Sequence, residues 1–166
     1  MIDTSSIEIE KEAVNEKNML LKKVDSAILS TVGIDGLPNA SYAPVAYDDD
    51  NNIYIYISDL SRHTKNLIDT CKVSIMFIED ESMADNIFAR KRLTINVDAE
   101  LIERKTEKWY EKINFLEDNF GETIKYLKEM NDFHLFRLIP KDALLVYGFG
   151  KAFRFTGKKL NQLKHL

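Results

Sequence analysis

An α+β fold, an antiparallel β-barrel with peripheral helices, is what this 166-residue chain predicts. Three observations carry the expectation. Short segments alternate apolar and polar residues with period two, most cleanly "KRLTINVDAELIE": Leu93, Ile95, Val97, Ala99 and Leu101 face one way, and Arg92, Thr94, Asn96, Asp98 and Glu100 the other. The first such segments follow one another too closely to leave room for crossover helices, which argues against parallel βαβ units. The apolar spacing lengthens to the helical period in residues 6–24 and again in 105–130. About six or seven strands of meander type with helices inserted between them suggest a barrel.

In chain order, Ile7, Ile9, Ala13, Val14, Leu20, Leu21 and Val24 recur among Glu and Lys, so residues 1–24 read as an N-terminal helix with Ser5 or Ser6 as N-cap. "SAILSTV" is a strand, "GIDGLPN" a turn with two glycines, "ASYAPVAY" a second strand, and "DDDNN" the loop to a third, "IYIYIS". "SDLSRHTKNL", residues 58–67, leads into a short helix. "KVSIMFIED" is apolar on both faces and belongs in the middle of the sheet. "SMADNIFAR" is a short helix or loop. Residues 105–130 carry an apolar stripe of Trp109, Ile113, Leu116, Phe120, Ile124 and Leu127. "FHLFRLI" and "DALLVYGFGKAFRF" are strands, and residues 157–166 a polar tail. No linker composition appears and the three prolines are scattered, so residues 1–166 form one domain.

Composition excludes some classes of function. A net charge of −4 argues against a general nucleic-acid binder. Cys71 is the single cysteine, so neither an internal disulfide nor a cysteine metal cluster can form. Beside "VSIMF" it reads as a small buried residue in a reducing compartment. No apolar run approaches the roughly 20 residues of a membrane span, and the acidic start is no signal peptide. A cytoplasmic protein without membrane or nucleic-acid partners is expected.

The chemistry-bearing residues fall into three groups. Ser58, Ser61, Arg62, His63 and Lys65 lie at a strand end and helix start, where free N–H groups and the helix dipole favour an anion; solvated surface charges are the competing reading. Arg92, on the polar face of its strand, has a guanidinium suited to a carboxylate or phosphate. The histidines His63, His134 and His165 are too far apart for a short metal motif. "GFGKAF" has too few glycines for a dinucleotide loop and reads as a bulge or a close backbone approach.

Taken together, "SDLSRHTKNL", "IEDESMADNIFARKRLTI", "DFHLFRLIPKDALLVYGFGKAF" and the opening meander resemble the HugZ-type haem-utilisation proteins. These are a branch of the pyridoxamine 5'-phosphate-oxidase-like, FMN-binding split-barrel superfamily. The resemblance runs from about residue 20 to residue 155, and "NIFARKRLT" and "GFGKAF" are its most specific parts. It implies a homodimer of split β-barrels with the ligand at the dimer interface and haem in place of flavin. It further implies His165 as the iron ligand, Asp132 as the carboxylate orienting that ring, Arg92 beside the haem and His63 near the pocket as fallback ligand. A neutral imidazole whose second nitrogen meets a carboxylate is a stronger donor to iron. The implied function is haem binding in haem and iron utilisation, with oxidative haem degradation as the possible activity. Two alternatives stay open. One is an FMN-dependent oxidoreductase holding the phosphate with Ser58, Arg62, Lys65 and Arg92, and the other a non-catalytic haem storage module.

Overall fold

β7, Phe133–Val146, is the strand around which the molecule is built. One of its edges pairs along its length with β6, Arg92–Ile102. Its other edge is shared, with β4 (Ile53–Ser58) on Phe133–Leu138 and β8 (Ala152–Thr156) on Asp142–Val146. The switch falls at Pro140, where the register of β6 and β7 also shifts between Asn96 and Val97. A proline cannot donate to a ladder, so a strand tolerates it at such an irregularity.

The structure is a computed structural model that describes residues 4–157 and 159–166. The remaining elements are α1 (Thr4–Lys23), β1 (Ser26–Val32), β2 (Pro38–Pro44), β3 (Ala46–Tyr47), α2 (Arg62–Thr70), β5 (Lys72–Ile78), α3 (Glu107–Phe120), α4 (Glu122–Leu127) and β9 (Gln162–His165). The antiparallel sheet runs β2-β1-β5-β6-β7-β4-β3, with β8 and β9 added outside the second half of β7. It curls until β2 lies against β4. An α+β half-barrel results, as the alternating segments imply, and β5 is internal as its two apolar faces require.

Two apolar cores share this sheet. Inside the curl, Leu29, Ile55, Ile75, Phe77, Leu93, Phe136, Leu138, Leu145, Phe153 and Phe155 pack with Ala13 and Leu20 of α1. Burying each of the larger side chains is worth about 1.5–3 kcal/mol. On the other face of β4 and the first half of β7, Tyr54, Tyr56 and Leu135 pack against Trp109, Ile113 and Leu116 of α3 and Ile124 of α4. Gly121, at φ 65°, separates α3 from α4 where the sequence suggests one helix.

Several expectations are corrected. α1 begins at Thr4, so Ser5 and Ser6 are not its N-cap; their side chains lie outside the described residues. Cys71 is exposed, at φ 55° on the C-cap of α2. Leu101 is 46% exposed while Ile102 is buried, because α3 covers the opposite face at that end of β6. "GFGK" is the hairpin turn between β7 and β8, closed by Lys151 N to Gly148 O at 3.2 Å. The polar tail is partly ordered structure: Leu160 is 2% exposed in the inner core and β9 pairs with β8. Lys158 lies outside the described residues.

Candidate functional site

The start of α2 and the start of β7 meet at one end of the half-barrel. Ser58, the last residue of β4, donates from Oγ to Asp132 Oδ2 at 2.7 Å and accepts from Leu60 N. Asp132 O accepts from Asp59 N at 2.8 Å, so the two chain segments are tied twice. Thr64 Oγ1 donates to Ser58 O at 2.6 Å. Ser61 caps α2 by position but makes no side-chain cap bond. Arg62 pairs with Asp35 at 3.0 Å, both half-exposed, and Lys65 is exposed. His63 is buried, with Nδ1 2.9 Å from Ser41 Oγ, and burial lowers its pKa, keeping the ring neutral near pH 7. His134, half-buried, pairs through Nε2 with Asp59 at 2.7 Å.

Arg92 stands at the other end. It opposes Ile78 of β5 and Val146 of β7, with Nη1 donating to Arg90 O at 2.9 Å. Because Leu93 points into the core, Arg92 and Thr94 point out. Their neighbours on that outer face form a row across five strands: Tyr42, Ile28, Met76, Thr94 and Leu144, each opposite the next. Tyr42 is 62% and Ile28 38% exposed. The helices fill the inner core and cover the β4–β7 side, so this apolar face is open.

His165 opposes Phe153 and stacks on it, centroids 4.6 Å apart, while its Nε2 lies 3.1 Å from Gly150 O. Phe153 stacks in turn on Tyr147, whose hydroxyl is buried without a hydrogen-bond partner. A cleft of about 1070 Å³ opens beside Tyr147, between α1, residues 78–91 and the β7–β8 turn, with Arg90, Lys91 and Lys151 among its lining.

Within one protomer, Ser58 and Asp132 therefore come together beside Arg62, His63 and Lys65. Arg92 does not join them, being separated by the length of the 14-residue β7. Nor does Asp132 meet His165, which is near the Val146 end of β7 through β8. Sequence reasoning missed Tyr147 and Lys17. Tyr147 was hidden in "VYGFGKAF" by taking the segment as one strand, although the glycines at 148 and 150 mark a turn. Lys17 looked like one more solvated charge on α1, yet it is 7% exposed.

Residues 14–147 match the family model for pyridoxamine 5'-phosphate oxidase. The chain is 44% identical over 138 residues to heme oxygenase HutZ of Vibrio cholerae, covering 83% of this chain and 78% of that protein. The chain belongs to the HugZ-type branch of the pyridoxamine 5'-phosphate-oxidase-like superfamily. The crystal structure of HutZ, described there as the heme storage protein from Vibrio cholerae, is similar at a TM-score of 0.77 and 37% identity, covering 82% of this chain and 97% of that one. ChuZ of Campylobacter jejuni is similar at a TM-score of 0.80 and 32% identity, over all of this chain and 64% of ChuZ. The split barrel is thus the fold of this branch member. Among its described residues no helix is long and apolar enough to cross a membrane.

Proposed function

We propose that the protein is a homodimeric haem-binding protein of haem and iron utilisation, acting in the cytoplasm. The observation that carries this reading is the open outer face, where Arg92 stands one row from Ile28, Tyr42, Met76 and Leu144 in a chain 44% identical to a heme oxygenase. A macrocycle that is apolar in plane and anionic at its propionates matches an apolar surface edged by a guanidinium.

The separation of the candidate residues supports the dimer. Ser58, Asp132 and His63 occupy one end of the protomer, Arg92 and His165 the other. In an isologous dimer each copy presents the same surface to the other, so two antiparallel copies would bring one Asp132 toward the partner's His165. Ile28 and Tyr42 would be covered in the same step. The tyrosines of "IYIYIS" add nothing to that surface, because α3 and α4 bury Tyr54 and Tyr56 within the chain.

The residues fit haem once one change is made. His165 is exposed; its Nε2–H donates to the Gly150 carbonyl and leaves the Nδ1 lone pair for iron, so the ring must leave Gly150 only for the Asp132 carboxylate to take that N–H. Arg92 holds one carbonyl and has further N–H groups for a propionate. Bound haem would supply the iron redox chemistry of ring oxidation. The chain would hold the propionates with Arg92, orient the imidazole with Asp132, and exclude water with the apolar row. An FMN site at Ser58, Arg62 and Lys65, joined by the partner's Arg92, is the second reading, favoured by Ser61, which leaves the first N–H groups of α2 without a side-chain cap.

Absorption titration of the purified protein with hemin and with FMN tests this. A saturable Soret band, weakened about tenfold in affinity by Arg92→Ala, is expected, since a hydrogen bond to a charged group is worth about 1.5–3 kcal/mol. No Soret band, with flavin retained instead, overturns it in favour of the oxidoreductase. Loss of the band under air and ascorbate then separates degradation from storage.

A further inference from the structure

The segment carrying His165 is tied to the body of the protein at one buried point. Lys17 Nζ, from the middle of α1, donates at 3.0 Å to Leu160 O, 143 residues away in sequence. Lys17 is 7% exposed and its ammonium lies 4.8 Å from the Phe155 ring centroid. Leu160 is 2% exposed and takes φ 48°, so a bulky side chain is held in a left-handed turn. Such a conformation persists only where its surroundings over-determine it. On the other side of this turn, Asn51 Nδ2 donates to Lys159 O at 3.2 Å, and Lys159 pairs with Asp50 at 2.8 Å.

Beyond this anchor the hold is slight. β9 is four residues long and pairs on one side only. Gln162, Lys164 and His165 are exposed, and only Leu163 and the His165 ring, stacked on Phe153, lean on the core. Leu166 N to Ala152 O at 3.0 Å and the His165 bond to Gly150 close the strand. An edge strand with so little buried apolar surface opens at low cost compared with the barrel.

We propose that Lys17 is a positioning residue. It fixes Leu160 as the pivot about which residues 161–166 carry His165 from its seat on β8 to the haem iron. This inference rests on the proposed haem function. It accounts for a buried lysine with no carboxylate partner among the described residues, whose pKa burial lowers, placed where it touches neither the outer face nor Arg92. It also reconciles the Asp132 role proposed across the dimer with the Gly150 carbonyl that His165 Nε2 faces in this structure: the pivot stays and the strand swings.

The test compares wild type, Lys17→Met, Lys17→Arg and Asn51→Gly. Asn51 sits at φ 62°, so glycine removes its side-chain bond without backbone strain. The first readout is amide exchange at Leu166 without haem. Lys17→Met speeds it about tenfold while core amides of β5 and β6 stay protected, Asn51→Gly shifts it in the same direction, and Lys17→Arg restores it. The second readout is the hemin titration. Lys17→Met weakens binding about tenfold and displaces the Soret maximum toward that of His165→Ala, and Lys17→Arg recovers both. Unchanged Leu166 exchange in both Lys17→Met and Asn51→Gly overturns the anchor. Faster exchange with an unaltered hemin spectrum overturns the positioning role. Absence of a Soret band in wild type sinks the haem reading, and the exchange data still decide whether Lys17 is the anchor.

Discussion

Ser58 Oγ and Asp132 Oδ2 meet at 2.7 Å, joining the last residue of β4 to the residue before β7. The bond fixes where β7 begins and so the register of the strand that carries both cores. It also gives Asp132 a structural task within its own protomer, separate from the one proposed across the dimer.

Asp132→Asn should therefore lower the urea midpoint by an amount equivalent to about 1 kcal/mol, with the m-value unchanged, because one half-buried hydrogen bond is weakened. In the dimer it should also weaken hemin binding, less than His165→Ala does. A loss of stability with hemin affinity intact would confine Asp132 to its structural task.

Acid should act through Asp48. Burial opposes its ionisation, but hydrogen bonds from Asn52 and Tyr54 outweigh burial and hold the carboxyl below its ordinary value of 3.8. A carboxyl depressed in the folded state contributes stability that is present above the unfolded value and lost as pH falls through the folded one. Urea unfolding between pH 6 and 3 should show stability dropping in the lower part of that window. Tyr54→Phe should flatten the drop, since the 2.8 Å bond from Tyr54 to Asp48 is gone. Equal slopes in the two proteins would remove Asp48 as the cause.

Tyr42→Glu should yield a monomer. The side chain is 62% exposed in the protomer, so the change costs its fold no more than about 0.5 kcal/mol, yet it places a charge in the apolar row proposed to meet its copy. Sedimentation equilibrium at micromolar concentration reads the outcome. A dimer that persists would move the interface elsewhere.

Cys71→Gly should stabilise the protein. At φ 55° on the C-cap of α2 a side chain is strained, and glycine is not. A gain of about 0.5–1 kcal/mol corresponds to roughly 1–4 °C in Tm for a chain of this size. A lower Tm would show that the exposed thiol makes a contact of greater worth than the strain.

The barrel was legible because burial alternates along β1, β5 and the first half of β6, with Leu29, Ile75 and Leu93 among the inside residues at every second position. The pattern failed where the environment has two faces. Leu101 lost its place to Ile102 because α3 packs outside, a fact about residues 107–120 that β6 does not record. β9 escaped notice because four residues with three exposed carry no period. The site was legible only as separate groups. Ser58 and Asp132 are 74 residues apart in sequence, and no local spacing announces their bond. The cluster at "SRHTKNL" did mark a strand end and helix start, but spacing could not say that His63 turns inward while Lys65 stays in water.

β4 has consequences for how the chain is made. "IYIYI" is buried on both faces, its isoleucines in one core and its tyrosines in the other. Five uncharged, β-prone residues of this kind are an aggregation hazard while uncovered. On the ribosome β3 and the first part of the inner core precede them, but α3, which covers the tyrosine face, follows some 50 residues later, and β7, their longer pairing strand, later still. Synthesis therefore includes an interval in which a sticky segment waits with its tyrosine face uncovered. The acidic run Asp48–Asp50 just ahead of it and Asp59 just behind it are placed to keep it apart from its copies until β7 arrives.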